Sequence, residues 1–123
     1  MCIRDRLITD EQDGVLIARF QGGRIIDEAQ IETLGREMND LLTEESKKFI
    51  LNFENLNFMS SAMIGKLIQF GKKCKNSGVD LRLCEINENI EEVFELMKLS
   101  SIFKIEKDEE TARKKLNKKG WFK

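Results

Sequence analysis

The sequence has no histidine in 123 residues. This excludes Ser-His-Asp and Cys-His nucleophilic catalysis and removes the commonest transition-metal ligand. Proline is also absent, so nothing breaks a helical pattern where one occurs. The three cysteines, Cys2, Cys74 and Cys84, form no Cys-x-x-Cys pair and are odd in number, so neither a zinc site nor a disulfide framework is supported. Cys74 and Cys84 are expected to be buried apolar fillers in a reducing compartment. Apolar runs extend only a few residues, too short for a membrane helix, and no secretory hydrophobic region appears near the start. The expectation is a soluble cytoplasmic protein without a membrane partner. Charge of one sign is missing too: 21 basic and 22 acidic residues leave a net charge of −1, interleaved along the chain, which disfavours a nucleic-acid partner.

What is present fits one domain with a real core. Residues 1–6, Met-Cys-Ile-Arg-Asp-Arg, resemble the translation of a transposon-end sequencing adapter. They are expected to be non-native and are set aside, with the possibility of genuine sequence upstream of Leu7. Leu7–Thr9 and Val15–Phe20 read as two strands of a hairpin, separated by Asp10-Glu11-Gln12-Asp13-Gly14. Arg24-Ile25-Ile26-Asp27 leads into a helix with apolar positions Ile31, Leu34, Met38, Leu41 and Leu42, and Asp27 is its expected N-cap. Phe49–Phe53 is a short apolar strand. Ile64, Leu67, Ile68, Gly71 and Cys74 then recur at helical spacing, and Gly78 suits that helix's C-terminus. Val79, Leu81 and Leu83 mark another strand. Ile90, Val93, Phe94 and Met97 mark a third helix, Ile102–Ile105 a last short strand, and Asp108–Lys118 a charged helix with Ala112 and Leu116 inward. Strand–helix–strand alternation after a hairpin predicts an α/β domain: a mixed sheet of about five strands with about four helices, over residues 7–117. A tail, 118–123, carries Trp121 and Phe122, which can fold back or anchor a partner.

The stretch richest in chemistry is Phe58-Met59-Ser60-Ser61-Ala62-Met63-Ile64-Gly65, where a buried strand hands over to an amphipathic helix. A serine there can cap the first backbone N–H groups, and a phosphate placed there meets the positive end of the helix dipole. An enzyme has little support. Gly65-Lys66 lacks the upstream glycine and following Ser or Thr of a phosphate-binding loop, and no spacing singles out a carboxylate pair among Asp27, Glu54 and Glu85. No metal or cofactor is expected.

Ile50 through Gly65 resembles the strand, short turn and "Phe-Met-Asp-Ser-Ser-Gly-Leu-Gly" helix start of the STAS family, which includes bacterial anti-sigma-factor antagonists and the cytoplasmic domains of sulfate transporters. Leu81–Asn87, followed by Ile90–Leu96 and Leu99, is similar to that family's fourth strand and third helix, and Gly23–Asp27 to its "Gly-x-Leu-Asp" turn. The sequence departs at three places: Ser60 stands for the usual Asp, Ala62 for the second Ser, and Met63 for Gly. The resemblance implies a STAS domain in which Ser61, or second Ser60, is the phosphorylated serine. It implies an anti-sigma factor with serine kinase activity as partner, joined by a serine phosphatase, and binding that ends on phosphorylation. Asp27, Phe58, Met59, Ser60, Ser61, Ala62 and Met63 would form the binding face. The alternative is an unphosphorylated STAS scaffold or regulatory subunit of a signalling or transport complex, with both serines as caps only.

Overall fold

Leu7 and Thr9 alternate with half-buried neighbours along β2 (Leu7–Gln12), which pairs antiparallel with β3 (Val15–Phe20). Gln12 lies opposite Val15, and Gly14, just before it, is in the left-handed region at φ +79°. Asp10–Gln12, expected in the turn, belong to the strand. Their polar side chains suit a solvated stretch of β2, and Gln12 Nε2 donates to Asp10 Oδ2 at 2.9 Å. The computed structural model describes residues 2–3, 7–12, 14–21, 24–25, 27–42 and 47–118. Gly22, Gly23 and Ile26, and the Trp121-Phe122 tail, lie outside the described residues.

The remaining elements follow in chain order: β4 (Arg24–Ile25), α1 (Glu28–Leu41), β5 (Lys48–Asn52), β6 (Phe58–Met59), α2 (Ser61–Asn76), β7 (Asp80–Cys84), α3 (Glu88–Leu96), a 3₁₀ turn (Leu99–Ser101), β8 (Lys104–Ile105) and α4 (Glu109–Lys118). A two-residue strand, β1 (Cys2–Ile3), pairs antiparallel with β2, so the sheet reaches into the segment set aside from the sequence. Among the described residues the main sheet has the order β1-β2-β3-β5-β7-β8, with β3, β5, β7 and β8 parallel. The architecture is the expected mixed α/β domain with four helices.

Three successive crossovers step across the sheet in one direction. Right-handed connections therefore stack α1, α2 and α3 on one face. The pleat divides the strands accordingly. Leu16, Ala18, Phe20, Phe49 and Leu51 join Leu34, Met38, Leu67, Phe70 and Phe94 in one core, while Val15, Ile17, Ile50 and Cys84 meet Ala112 and Leu116 of α4 on the other side. Cys74 and Cys84 are buried fillers, as their sequence context suggests, and desolvation pushes both thiols up to about 12. Gly71 is required by packing, because a Cβ there would lie 2.5 Å from Phe103 Cε1.

Two expectations change at the end of α3. Met97, expected inward, is its C-cap and is exposed, while Ile90 and Phe94 carry the buried contact. The last strand is shorter than predicted. Leu99–Ser101 form the 3₁₀ turn, and Lys98 at φ 57° reverses the chain before it.

Candidate functional site

The carboxyl end of β5 is shaped by its last residue. Asn52 Oδ1 accepts from Glu54 N at 2.8 Å, and Leu56 N donates to Phe53 O at 3.0 Å, closing a turn with Phe53 and Leu56 buried beneath it. Asn87 holds this turn from the other side. Its Oδ1 accepts Ile90 N at 2.9 Å as the N-cap of α3, while its Nδ2 donates to Leu56 O at 3.0 Å and Asn57 O at 3.4 Å. One side chain thus starts α3 and fixes the approach to β6.

β6 pairs in parallel with β4, Arg24 opposite Phe58 and Ile25 opposite Met59. Asp27 and Ser61 each follow two residues after a paired position, so the N-termini of α1 and α2 emerge side by side from this small ladder. The sequence gives weak notice of it: Arg24-Ile25 reads as a lead-in to the helix, and two-residue strands carry no periodicity. Asp27 is the N-cap of α1, as expected. Its Oδ1 accepts from Ala29 N at 3.1 Å, and Gln30 Oε1 accepts from Asp27 N at 3.3 Å, a capping box on an exposed corner.

The two serines occupy different positions. Ser60 is the N-cap of α2, extended at φ −74° and ψ 163°, and its Oγ accepts from Met63 N at 3.3 Å. Ser61 is the first helical residue and is exposed, and among the described residues nothing hydrogen-bonds its hydroxyl. Phe58 (42% exposed) and Ala62 are also exposed, whereas Met59 and Met63 sit in the core. The outer surface is therefore Phe58, Ser60, Ser61 and Ala62, with the two methionines supporting it from beneath. Lys66, one turn further along α2, faces α1: Nζ is 3.4 Å from Glu32 Oε1, and its stem packs over Gly35. No acidic residue lies in the first turn of α2. Among the described residues no group of three or more His, Cys, Asp or Glu can hold a metal ion, and no helix is long and apolar enough to cross a membrane.

Beside the loop, between β6, α2 and α3, lies a pocket of about 260 Å³ lined by Asn57, Phe58, Met59, Ile64, Asn89, Ile90 and Val93. Sequence reasoning placed Phe58 and Met59 on the binding face and Ile64, Ile90 and Val93 on the apolar faces of two separate helices. The pocket exists because Asn87 brings the start of α3 against the β6 approach.

The model of the STAS domain matches residues 6–112, from β2 into α4. The chain belongs to the STAS domain family. A Bordetella bronchiseptica relative, BtrV, which carries the name of an anti-sigma factor antagonist, is 30% identical over 107 residues, covering 87% of this chain and 90% of BtrV. Among solved STAS-like structures, a Thermotoga maritima protein described as an anti-sigma factor antagonist superposes with a TM-score of 0.80 at 20% identity, covering 90% of this chain and 94% of the other. The anti-sigma factor antagonist SpoIIAA in its unphosphorylated form gives a TM-score of 0.73 at 18% identity, covering 90% and 96%. SpoIIAA of Bacillus in its phosphorylated form gives 0.66 at 17%, covering 88% and 97%. At these identities the structures speak for the fold. The STAS match includes the whole serine loop and the paired starts of α1 and α2.

Proposed function

We propose that this STAS domain is an anti-sigma factor antagonist of bacterial transcription. In this reading its unmodified face, Asp27, Phe58, Ser60, Ser61 and Ala62 over Met59 and Met63, binds a cytoplasmic anti-sigma factor with serine kinase activity. Phosphorylation of Ser61 ends the binding, and a serine phosphatase restores it. The observation that carries the proposal is the division of labour between the serines: Ser60 caps α2, and Ser61 is exposed beside it. BtrV, named as such an antagonist, supports the partner class, and the phosphorylated form of SpoIIAA supports a modifiable relative.

The physics of the switch follows from the neighbourhood. A phosphate adds about −1.5 to −2 charges at neutral pH. On the free protein it meets the start of α2, where the N–H groups of Ser61 and Ala62 have no partner within the helix and the first turn holds no acid. In a complex the same group is pressed against a partner across Phe58 and Ala62, with the Asp27 carboxylate on the adjoining helix start. Desolvating it there costs several kcal/mol unless a cation answers it. Each ~1.4 kcal/mol is tenfold in affinity, so one modification suffices to dissolve a micromolar complex. The fold is spared, because the phosphate sits on an exposed corner.

Titration of the anti-sigma kinase from the same genome with Ser61→Ala and Ser61→Asp tests the charge mechanism. Ser61→Ala is expected to bind like the unmodified protein and Ser61→Asp at least about tenfold more weakly; equal affinities contradict it. The second reading, a STAS scaffold or regulatory subunit without phosphorylation, is favoured by the engagement of Ser60 as a cap at the position where the family motif it resembles has Asp. It predicts that neither substitution changes partner binding.

A further inference from the structure

α3 carries charges that its own stability does not explain. Between Cys84 and Lys98 the chain has five glutamates and no lysine or arginine. Four of them, Glu88, Glu91, Glu92 and Glu95, are exposed on α3. Among the described residues none of the four is in an ion pair. Glu88 and Glu91 suit the positive N-terminal end of the helix, but Glu95 lies in the last turn against the negative end, and no basic residue offsets it. Glu88 and Glu92, and Glu91 and Glu95, are like-charge pairs at i, i+4, which repel. The helix is therefore arranged against itself on its outer side.

An uncharged strip with two apolar side chains, Val93 and Leu96, runs between those acids and the core. Asn89, Val93 and Leu96 share one helical face at i, i+4 and i+7. Asn89 and Val93 line the 260 Å³ pocket, and Leu96 is 83% exposed. The strip begins at Phe58 of the serine loop, whose ring stands at the same pocket. Acidic repulsion beside exposed apolar surface matches a segment that brings cationic side chains together with an apolar one.

We infer that α3 is a second docking element, and that it receives a basic amphipathic helix of the partner, with an apolar side chain in the pocket of Met59, Ile64, Ile90 and Val93 and lysines or arginines facing Glu88, Glu92 and Glu95. The identity of the partner as an anti-sigma kinase rests on the function proposed above; the chemistry of the docked segment rests on α3. Binding here holds the partner against the corner that presents Ser61. The surface would thus give affinity that the small, exposed serine lacks.

The test uses the full ¹⁵N-labelled chain and two synthetic helical peptides of about fifteen residues, each with a leucine stripe, one carrying lysines and the other glutamates on the flanking positions. The lysine peptide is expected to shift the amides of Phe58, Asn89, Val93 and Leu96, to bind at least about tenfold more tightly than the glutamate peptide, and to weaken with salt. Glu88→Lys, Glu92→Lys and Glu95→Lys together should reverse that preference. Asn89→Trp, an exposed substitution at the pocket mouth, should block binding with the unfolding midpoint unchanged. Equal binding of the two peptides, shifts confined to other elements, self-association through α3, or no binding each overturns the inference. Phosphate mapping after kinase and ATP separates the two claims. Phosphorylated Ser61 with no peptide preference removes the docking surface alone, and peptide docking without phosphate on Ser60 or Ser61 removes the phosphoswitch alone.

Discussion

Two helices, α2 and α4, follow the short parallel strands β6 and β8, and their first turns are built in opposite ways. α4 is filled from within the domain. Asp108 caps it, accepting from Thr111 N at 2.8 Å; Glu109 Oε1 and Oε2 take Arg19 Nη2 at 2.7 and 2.8 Å; Asn52 Nδ2 donates to Glu109 Oε1 at 2.8 Å; and Glu109 N donates to Glu85 Oε2 at 3.2 Å. α2 has a neutral cap, Ser60, no acid in its first turn and an exposed hydroxyl at Ser61. A helix N-terminus attracts negative charge in either case. In α4 the protein supplies that charge itself and locks the helix to the sheet; in α2 the first turn holds no acid. Glu85, at φ 58°, is held off its preferred backbone on the locked side, where its carboxylate reaches α4.

The sharpest way to break this contrast is to unlock α4. Arg19→Met leaves the Glu109 carboxylate, only 15% exposed, without its cation. A loss of about 1–3 kcal/mol is expected by denaturant unfolding, with partner affinity through the serine face unchanged. Next is the strut under the serine loop. Asn87→Ala removes the α3 cap and both donations to the 56–57 carbonyls, at about 1–2 kcal/mol. Asn87→Asp keeps the cap but turns a carboxylate oxygen toward the two carbonyls, so it should recover only part of that stability. Ser60→Ala should cost ~1 kcal/mol through the lost cap. Ser60→Asp caps equally well and gives α2 an acid at its start, so it should leave stability unchanged within a few tenths of a kcal/mol.

The smallest effect is on pH. The Thr111 N–H bond to Asp108 holds its carboxyl below the usual carboxylate range. A lowered folded value means that the cap contributes fully above the ordinary range and is lost as pH falls through the folded value. Thermal unfolding in acid should therefore show wild type losing stability relative to Asp108→Asn as pH drops. The serine cap of α2 has no such dependence.

The same contrast explains what could be read from the chain. Periodicity delivered the four helices and the main strands, because Leu34 and Met38, Ile64 and Leu67, or Ala112 and Leu116 announce a buried face by spacing alone. Caps were legible at Asp27 and at the Ser60-Ser61 junction, since capping is local chemistry. The assignment of the cap to Ser60 was not, because two adjacent serines satisfy the same rule and only the backbone decides which one stays extended. The β4–β6 ladder, the Asn87 strut and the pocket were hidden for another reason. Each joins residues about thirty positions apart through one or two contacts, and such contacts leave no repeat in the sequence. For Asn87 the spacing to Ile90 was the signal for a cap. Cys2–Ile3 pairing was missed because those residues were set aside for their likeness to an adapter. Met97 was misplaced because helical spacing continues to i+7 in the sequence while α3 stops one residue earlier.

The central claim is that Ser61 is the residue left open for charge. Incubation of the full chain with ATP and a candidate anti-sigma kinase from the same genome, followed by site mapping by mass spectrometry on wild type and Ser61→Ala, tests it most directly. The account predicts a single phosphate on Ser61 in wild type and none in Ser61→Ala. Phosphate on a residue other than Ser61, or the same phosphate level in both proteins, contradicts it.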